Sequence, residues 1–308
     1  ITPRYNAIET AAKRCALNGA VLLLGSATPS LLSYYRALKG RYTLLSMPQR
    51  VNDIPMPKVQ IVDMRSEFMN GNTSIFSAAL HLRLAECLAA NEQAILFMNR
   101  RGYSTFVSCR GCGYVFRCEN CDVSMTYHKP ENLLKCHYCG HTKRFPNVCP
   151  SCGKPYIKCF GIGTQQVEEA LYRAFPGVSA LRMDVDTTHG KNAHYEILEK
   201  FSSGQAQVLI GTQMVAKGLD IPNVTLVGVI AADATLHIPD YRSAERTFQL
   251  TTQVAGRAGR DSDKPGHVII QTYSPEHPAI TLAAAHDYPA FYALEIEQRR
   301  KAVFPPFA

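Results

Sequence analysis

The feature that most constrains the fold of this chain is a set of four cysteine pairs between residues 109 and 152. Eight of its eleven cysteines stand there in the spacing C-x2-C, as Cys109/Cys112, Cys118/Cys121, Cys136/Cys139 and Cys149/Cys152. Two thiolates two residues apart on a tight turn can bind one tetrahedral ion, and unrelated core cysteines do not occur in such pairs. The pattern predicts two closed sites that hold two structural Zn2+ ions, in a reducing compartment.

The sequence leaves open how the pairs combine. Five residues separate Cys112 from Cys118, which is short for folding the first two pairs onto one ion, whereas the fourteen residues from Cys121 to Cys136 suit a ribbon hairpin. We therefore favour a nested arrangement, with one site from the second and third pairs and the other from the first and fourth. The alternative is a cross-brace of first with third and second with fourth. We expect His128, His137 and His141 to lie beside the metal sites or to be exposed. We expect Cys15, Cys87 and Cys159 to be buried like small apolar residues.

Length and composition exclude several classes of protein. An apolar fraction of 46% over 308 residues can fill about two compact domains, so a disordered chain is excluded. The longest apolar runs are much shorter than the roughly 20 residues of a membrane-spanning helix, so no membrane span is expected. No secretory leader is expected, and because the first residue is not methionine we expect a piece of a longer protein.

The positive charge is concentrated in the cysteine segment. The formal charge of the chain is +8, and residues 99–158 carry +7 of it. Binding of eight thiolates to two Zn2+ ions would lower these charges to +4 and +3, since each thiolate contributes a negative charge and each ion two positive charges. The surplus agrees with a polyanionic partner but is weak evidence for one.

Short apolar strands alternate with helical patterns along most of the chain, which predicts an α/β fold with a parallel sheet and helical crossovers. Thr164 is expected to cap one of the helices, and the alternation stops between Met98 and Tyr156, so the cysteine segment is interpreted as an insertion. Residues 287–307 predict one helix, ended by Pro305 and Pro306, without a partner in this sequence. The predicted strands are 20–25, 59–64, 94–98, 178–184, 207–211, 224–232 and 266–274, and the other helices are 31–39, 77–91, 164–175, 194–204 and 243–257.

The segment QVAGRAGR, residues 253–260, is the most informative about chemistry. On a helix, Gln253, Arg257 and Arg260 share one face, and the two glycines allow a phosphate or another backbone to come close. Two arginines on one stripe can neutralise the charge of a transferred phosphoryl group, a role worth about 10³ to 10⁵ in rate in other enzymes. The alternative is a solvated basic helix end whose arginines pair with carboxylates.

Polar residues follow the predicted strands at the edge where open α/β sheets bind ligands. After the strand QVLIG, Thr212 and Gln213 can bond to a phosphodiester backbone, Lys217 adds a positive charge and Asp220 a carboxylate. The loops SATPS and NRRGY occupy equivalent positions. Together these loops predict a functional rim.

The order of the motifs resembles that of the PriA family of primosomal helicases, a group of superfamily 2 DNA helicases, over nearly all 308 residues. The combination of the cysteine block with QVAGRAGR is specific to that family. The family usually has His-Asp-Phe after Lys-Gly, where this chain has Leu219, Asp220 and Ile221, so the histidine has no counterpart. The motifs are SATPS, ILFMNRRGY, the cysteine pairs, GIGTQ, DVDTT, GTQMVAKG, DYRSAERTFQL, QVAGRAGR, PEHP and FPPF.

The resemblance implies two RecA-like lobes, zinc ribbons inserted in the second lobe, ATP-driven 3′ to 5′ unwinding and restart of stalled replication forks. It also implies a division of the chain. Residues 1–50 would be the tail of lobe 1, 51–94 a linker and the start of lobe 2, 95–108 with 154–273 the rest of lobe 2, 109–153 the zinc insertion, and 274–308 the start of a C-terminal domain.

The resemblance further implies roles for individual residues. Those that couple nucleotide to DNA would be Ser26, Ala27 and Thr28. Those that contact DNA would be Arg100, Arg101, Thr212, Gln213 and Lys217. Those that bind the nucleotide would be Gly218, Asp220, Arg257 and Arg260, with Arg257, Arg260 and Gln253 acting in catalysis.

The implied cofactors of the longer protein are ATP and Mg2+ besides two structural Zn2+ ions. Its implied partners are forked DNA, single-strand-binding protein and primosome proteins, for a monomer without membrane contact in the bacterial cytoplasm, at the nucleoid. This sequence contains neither a G-x-x-x-x-G-K-[ST] phosphate loop nor an Asp-Glu dipeptide, so the chain alone is expected not to hydrolyse ATP.

A competing hypothesis treats the chain as a zinc-ribbon module that binds nucleic acid or protein on a non-motor α/β scaffold. The aromatic residues of the cysteine segment are relevant to both hypotheses, because they are interspersed with basic residues. They would form either a docking and strand-separating surface or a small core around the metals. They are Tyr114, Phe116, Tyr127 and Tyr138.

Overall fold

The structure is a computed structural model that describes residues 5–47, 54–98, 106–159, 161, 163–184, 187, 192–213, 215, 221–260 and 264–307. Its elements, in chain order, are α1 (Ala7–Leu17), α2 (Leu31–Leu38), β1 (Lys58–Asp63), α3 (Met64–Met69), α4 (Ala78–Ala89), β2 (Gln93–Met98), β3 (Val107–Cys109), β4 (Thr126–His128), β5 (Leu133–Lys135), β6 (Thr142–Arg144), β7 (Ile157–Cys159), α5 (Thr164–Ala174), β8 (Ala180–Met183), α6 (Ala193–Ser202), β9 (Val208–Gly211), β10 (Val224–Ile230), α7 (Asp233–Leu236), α8 (Ser243–Ala255), β11 (His267–Thr272), α9 (Pro278–Ala284) and α10 (Tyr288–Lys301).

Six strands form one parallel sheet in the order β1-β11-β10-β2-β9-β8. The three strands β2, β9 and β10 are buried along their whole length, because helices cover both faces of the sheet. The α/β architecture predicted from the alternation is confirmed.

An apolar core lies on each face of the sheet. On one face, Phe97 and Val227 of the sheet pack with Phe248 of α8 and Phe291 of α10. On the other face, residues of α4 and α5 pack against the opposite side of the same strands, among them Leu80, Leu84, Val167 and Leu171. Among the helices of the described segments, none is both long enough and apolar enough to cross a bilayer.

Residues 20–25 do not form the predicted strand. Val21 is 93% exposed and Leu23 81% exposed, and in the described part of the chain no strand pairs with this segment. A strand requires a neighbour that accepts and donates its backbone hydrogen bonds, so an apolar run alone does not produce one.

The last two helices belong to the same core as the sheet, so the expectation that the final helix has no partner is wrong. The ring of Phe291 stacks on that of Phe248 at a centroid distance of 4.3 Å, and Arg299 forms a buried ion pair with Glu245 at 2.7 Å. Helix α10 also ends at Lys301, before the two prolines that were expected to end it. The residue that caps α5 is Gly163 rather than Thr164.

The cysteine segment forms two small antiparallel sheets beside the main one. Strands β3 and β7 pair at its base, and β4, β5 and β6 form a three-stranded sheet. Its small core contains Phe116, Met125 and Leu134 together with two cysteines. The segment therefore leaves the α/β unit after β2 and returns to it before α5, as expected of an insertion.

Candidate metal centres and motif cluster

The eight paired cysteines gather into two groups of four. One group contains Cys109, Cys112, Cys149 and Cys152, and the other Cys118, Cys121, Cys136 and Cys139, with the sulfur atoms of each group within 4.8 Å of one another. These are the groups of the nested arrangement, and the cross-brace is not formed. The sequence separation of the pairs left this open, because the pairing of β4 with β5 and of β3 with β7 decides which turns face each other.

The sulfur positions fit a tetrahedral ion. The distances Cys109–Cys152, Cys112–Cys149 and Cys118–Cys139 are 3.7, 3.6 and 3.6 Å. Four thiolates at about 2.3 Å from a Zn2+ ion would be separated by about 3.8 Å.

The electrostatics of the sites also favour a cation. The backbone N–H of His141 donates to the Cys139 sulfur and lowers the pKa of that thiol to about 6, and the N–H of Lys154 lowers the pKa of Cys152 to about 7. Burial instead raises the pKa of Cys109 to about 12, and the neighbouring Cys139 raises the pKa of Cys121 to about 12. One thiolate forms readily in each group, but four crowded thiolates require a positive ion to balance them.

Two contact areas fix the cysteine segment to the α/β unit. Around the first group, the guanidinium of Arg110 lies 4.8 Å from the Phe68 ring of α3. Gly113, at a φ of +76°, lies so close to the backbone that an added Cβ would be 2.7 Å from the Tyr273 carbonyl oxygen. The three-stranded sheet makes the second contact area.

In that second area, the Tyr138 hydroxyl donates to the Pro239 carbonyl at 2.9 Å, and the Ser124 hydroxyl donates to the carbonyl of His237. The rings of Phe106 and His237 lie 4.8 Å apart, and burial lowers the pKa of His237 to about 3. The insertion is therefore held against the connection between α7 and α8 by neutral contacts.

The aromatic residues of the insertion divide between the two predicted roles. Phe116 is buried in the small core and Tyr127 packs against Phe145 at 4.6 Å, whereas Tyr114 is 39% and Tyr138 66% exposed. Part of the set forms a core, and part remains on the surface.

The arginine segment is not helical as predicted, because α8 ends at Ala255. Arg257 and Arg260 are half-buried and lie in the turn that follows, so Gln253, Arg257 and Arg260 do not share a helix face. Gly259 explains the change of direction. Its φ is +62°, and an added Cβ would lie 2.4 Å from the Gly266 nitrogen, a packing that a helix would not allow.

The turn lies at the amino end of β10, since the Gly259 N–H donates to the carbonyl of Val224 at 3.0 Å. Thr212 and Gln213, by contrast, directly follow the carboxyl end of β9, which runs parallel to β10 in the same sheet. The two groups of predicted site residues therefore lie at opposite ends of the parallel strands. The other predicted rim residues, Arg100, Arg101, Lys217, Gly218 and Asp220, lie outside the described residues.

Helix α8 connects the arginine turn to the SATPS loop through a row of polar side chains. Gln253 Nε2 donates to Thr28 Oγ1 at 3.0 Å, and Gln249 Nε2 donates to the carbonyls of Thr28 and Pro29 at 3.3 and 3.2 Å. One turn earlier, Glu245 Oε1 accepts from the Leu31 N–H at 2.9 Å. Thr28 is buried, while Ser26 and Ala27 are exposed.

The sequence analysis missed Glu245 and Gln249. Their spacing was a possible signal, because residues 245, 249 and 253 recur every four positions on one helix face. Glu245 also binds Arg299 of α10, so it joins the loop, α8 and α10.

The chain resembles known proteins over its whole length. Residues 118–144 match the family model described as PriA DNA helicase Cys-rich region (CRR) domain, and residues 155–262 match the helicase conserved C-terminal domain. The chain is 57% identical over 305 residues to the replication restart protein PriA of Bacillus subtilis, covering 99% of this chain and 38% of that protein. The PriA protein of Synechocystis is 52% identical over 315 residues, with 100% and 38% covered.

Among solved structures, Dbp5 of S. cerevisiae bound to RNA and ADP BeF3 is 14% identical, with 94% of this chain and 57% of that one covered and a TM-score of 0.44. The chain thus spans 38% of the length of the two PriA relatives named above. It belongs, over that length, to the PriA family of replication restart proteins, and it carries their cysteine-rich region and a helicase C-terminal domain.

Proposed function

We propose that this chain is the part of an ATP-dependent 3′ to 5′ DNA helicase that contains the second motor lobe and its zinc insertion, in a protein that recognises stalled forks and starts primosome assembly. The full protein would use ATP and Mg2+ and would act as a monomer in the bacterial cytoplasm, at the nucleoid. Its partners would be forked DNA, single-strand-binding protein and primosome proteins.

The observation that carries this proposal is the polar row on α8. Glu245, Gln249 and Gln253 bond to the loop of residues 28–31, and the helix ends directly at the turn of Arg257 and Arg260. A shift of the loop would therefore be transmitted along one rigid helix to the two guanidinium groups. Such an arrangement suits a helicase motor, in which nucleotide hydrolysis must be coupled to movement along DNA.

The two groups of predicted site residues lie at opposite ends of the strands, which agrees with separate sites for nucleotide and DNA. Arg257 and Arg260 at the amino end of β10 would face nucleotide phosphates, with Gly218 and Asp220 contributing to the same site. Thr212 and Gln213 at the carboxyl end of β9 would contact the DNA backbone, together with Arg100, Arg101 and Lys217. We also propose that each four-cysteine group holds a structural Zn2+ ion, and that residues 1–50, 51–94, 95–108 with 154–273, 109–153 and 274–308 are the units of the chain.

DNA-stimulated ATP hydrolysis by the longer protein that contains this chain tests the proposal. Arg260→Ala should lower the rate at least about 10³-fold, whereas Arg173→Ala, at an exposed arginine of α5, should leave it unchanged. The chain of 308 residues by itself should show no turnover, because its sequence has no phosphate loop. Turnover by the isolated chain, or equal rates for the two variants, would contradict the proposal.

The competing hypothesis, a zinc-ribbon module on a non-motor scaffold, predicts a different effect of Arg260→Ala. In that case the insertion alone would carry the function, its exposed strand β6 and the half-exposed Tyr114 and Tyr138 being the contact surface. Removal of residues 109–153 would then abolish binding to DNA, while Arg260→Ala would have no effect on any activity of the longer protein.

A further inference from the structure

Four aromatic side chains line a surface outside every site described above. Tyr241 and Phe304 are stacked, with ring centroids 5.4 Å apart and an angle of 28° between the planes. Phe307 and Tyr35 form an edge contact at 5.6 Å. The turn in which the Phe307 N–H donates to the Phe304 carbonyl at 3.0 Å keeps the two pairs together. We call these four residues the aromatic track.

The aromatic track is not part of the core. None of its members belongs to the three apolar clusters that the described residues form. Phe304 is 43% and Tyr241 37% exposed. Phe304 stacks on Tyr241 and yet keeps much of its surface in contact with solvent.

Cations accompany the rings. The guanidinium of Arg242 lies 5.2 Å from the Tyr241 ring, that of Arg300 lies 5.2 Å from Phe307, and the ammonium of Lys39 lies 5.8 Å from Tyr35. The side chains of Arg242 and Arg300 are 47% and 60% exposed.

Acidic groups balance these cations only in part. Asp240 accepts from both Arg242 and Arg246, and Glu297 pairs with Arg300. The buried Arg299, 5.0 Å from the Tyr241 ring, pairs with Glu245 and Glu295. With Lys39 and this cluster included, five positive groups face four negative ones, so the surface keeps a surplus of one positive charge.

The aromatic track also lies on the edge of the sheet where DNA is expected. Strand β10 ends at Ile230, and α7 then leads to the connection that contains Tyr241. Helix α8 then runs from Ser243 to the arginine turn at the amino end of β10, which places Tyr241, just before α8, toward the carboxyl end of the strands. Thr212 and Gln213, two of the proposed DNA contacts, follow the carboxyl end of β9, so these two residues and the aromatic track lie at the same end of the parallel strands.

We propose that the aromatic track binds single-stranded nucleic acid, with a base stacked on the outer face of Phe304 and phosphates held by Arg242 and Arg300. Rings that stack with unpaired bases, set among cations that neutralise phosphates, are the chemistry of single-strand binding, and paired bases in a duplex cannot offer their faces. The inference rests on the proposed function, in that nucleic acid passes this edge of the sheet.

Fluorescence anisotropy of a labelled oligothymidylate of about 20 nucleotides, titrated with the 308-residue chain, tests the inference. Phe304→Ala should raise the dissociation constant about 5- to 150-fold, the range expected for the loss of one stacked base. Phe304→Leu should weaken binding as well, because leucine keeps the apolar volume but cannot stack. Leu294→Ala, which shortens another exposed apolar side chain on α10, should leave affinity unchanged.

Two further measurements separate the possible failures. Arg242→Gln should reduce the slope of log affinity against log salt by about 0.7, the value for one phosphate contact on a single strand. Affinity for a duplex of the same length should not respond to Phe304→Ala.

Unchanged affinity of Phe304→Ala and Phe304→Leu for the oligothymidylate, or an equal loss for the duplex, would overturn the inference. If Lys217→Ala weakens binding while both Phe304 variants bind normally, the proposed function stands and the aromatic track is not a binding surface. If the unaltered chain does not bind the oligothymidylate, both are overturned.

Discussion

Arg299→Met isolates the energy of the ion cluster that joins α10 to α8. Arg299 Nη2 lies 2.7 Å from Glu245 Oε2, and Arg299 Nε lies 3.2 Å from Glu295 Oε1, while all three side chains are at most 8% exposed. Methionine preserves most of the apolar length but leaves two carboxylates buried without a cation. Breaking a buried pair in this way costs about 3–5 kcal/mol in the free energy of unfolding.

The dependence on pH identifies the cause of this loss. Burial raises the pKa of Glu295 in the folded protein, Arg299 opposes that rise, and the nearby Glu245 adds to it. Without Arg299 the folded-state pKa of Glu295 rises further above the unfolded value, so the folded state binds protons more tightly. Stability of the variant should therefore recover as pH falls from 8 to about 5, and the deficit should shrink.

Urea unfolding followed by circular dichroism at both pH values measures the effect. Arg300→Met is the matched control, because Arg300 pairs with Glu297 on the surface, where the side chains are 60% and 46% exposed, and it should cost at most about 1 kcal/mol. A deficit for Arg299→Met of less than about 1 kcal/mol, or one that grows on acidification, would refute the reasoning.

Three other predictions concern the metals, a buried histidine and a glycine. Zinc content measured by mass spectrometry should be two ions per chain and should fall to one in Cys139→Ser, but not in Cys159→Ser, since Cys159 lies outside both groups. Burial lowers the folded-state pKa of His237 to about 3, below the unfolded value of about 6.5, so the folded state binds fewer protons than the unfolded state. The free energy of unfolding should therefore fall on acidification below about pH 6.5. His237→Phe should make this fall shallower by about 1.4 kcal/mol per pH unit, as measured by urea unfolding. Gly204→Ala, at a φ of +78° with open space around it, should cost about 1–2 kcal/mol in thermal unfolding, and Gly259→Ala should cost clearly more because its Cβ meets the Gly266 backbone; equal costs would show that this contact relaxes.

The errors of the sequence analysis share a cause. In the described part of the chain, the run at residues 20–25 has the composition of a strand but finds no neighbour to pair with. QVAGRAGR continues a helical pattern, yet α8 ends at Ala255 and the turn that follows bonds to Val224 of β10. The final helix was expected to be without a partner, whereas Arg299 of that helix pairs with Glu245, which lies 54 residues earlier in the sequence. Each error concerns contacts between distant segments, which local patterns do not contain.

The sequence alone determined the chemistry of this protein: eight thiols in spaced pairs that call for two closed metal sites, and an alternation of strands and helices that can bury its apolar faces only as a parallel sheet. Both follow from the chain's local spacing. The tertiary structure decided which cysteine pairs face each other and where the arginine turn leaves α8. It also decided that Glu245, Gln249 and Gln253 form hydrogen bonds to the loop of residues 28–31. These depend on segments up to about two hundred residues apart being brought together by the shared core, and no local rule specifies that meeting.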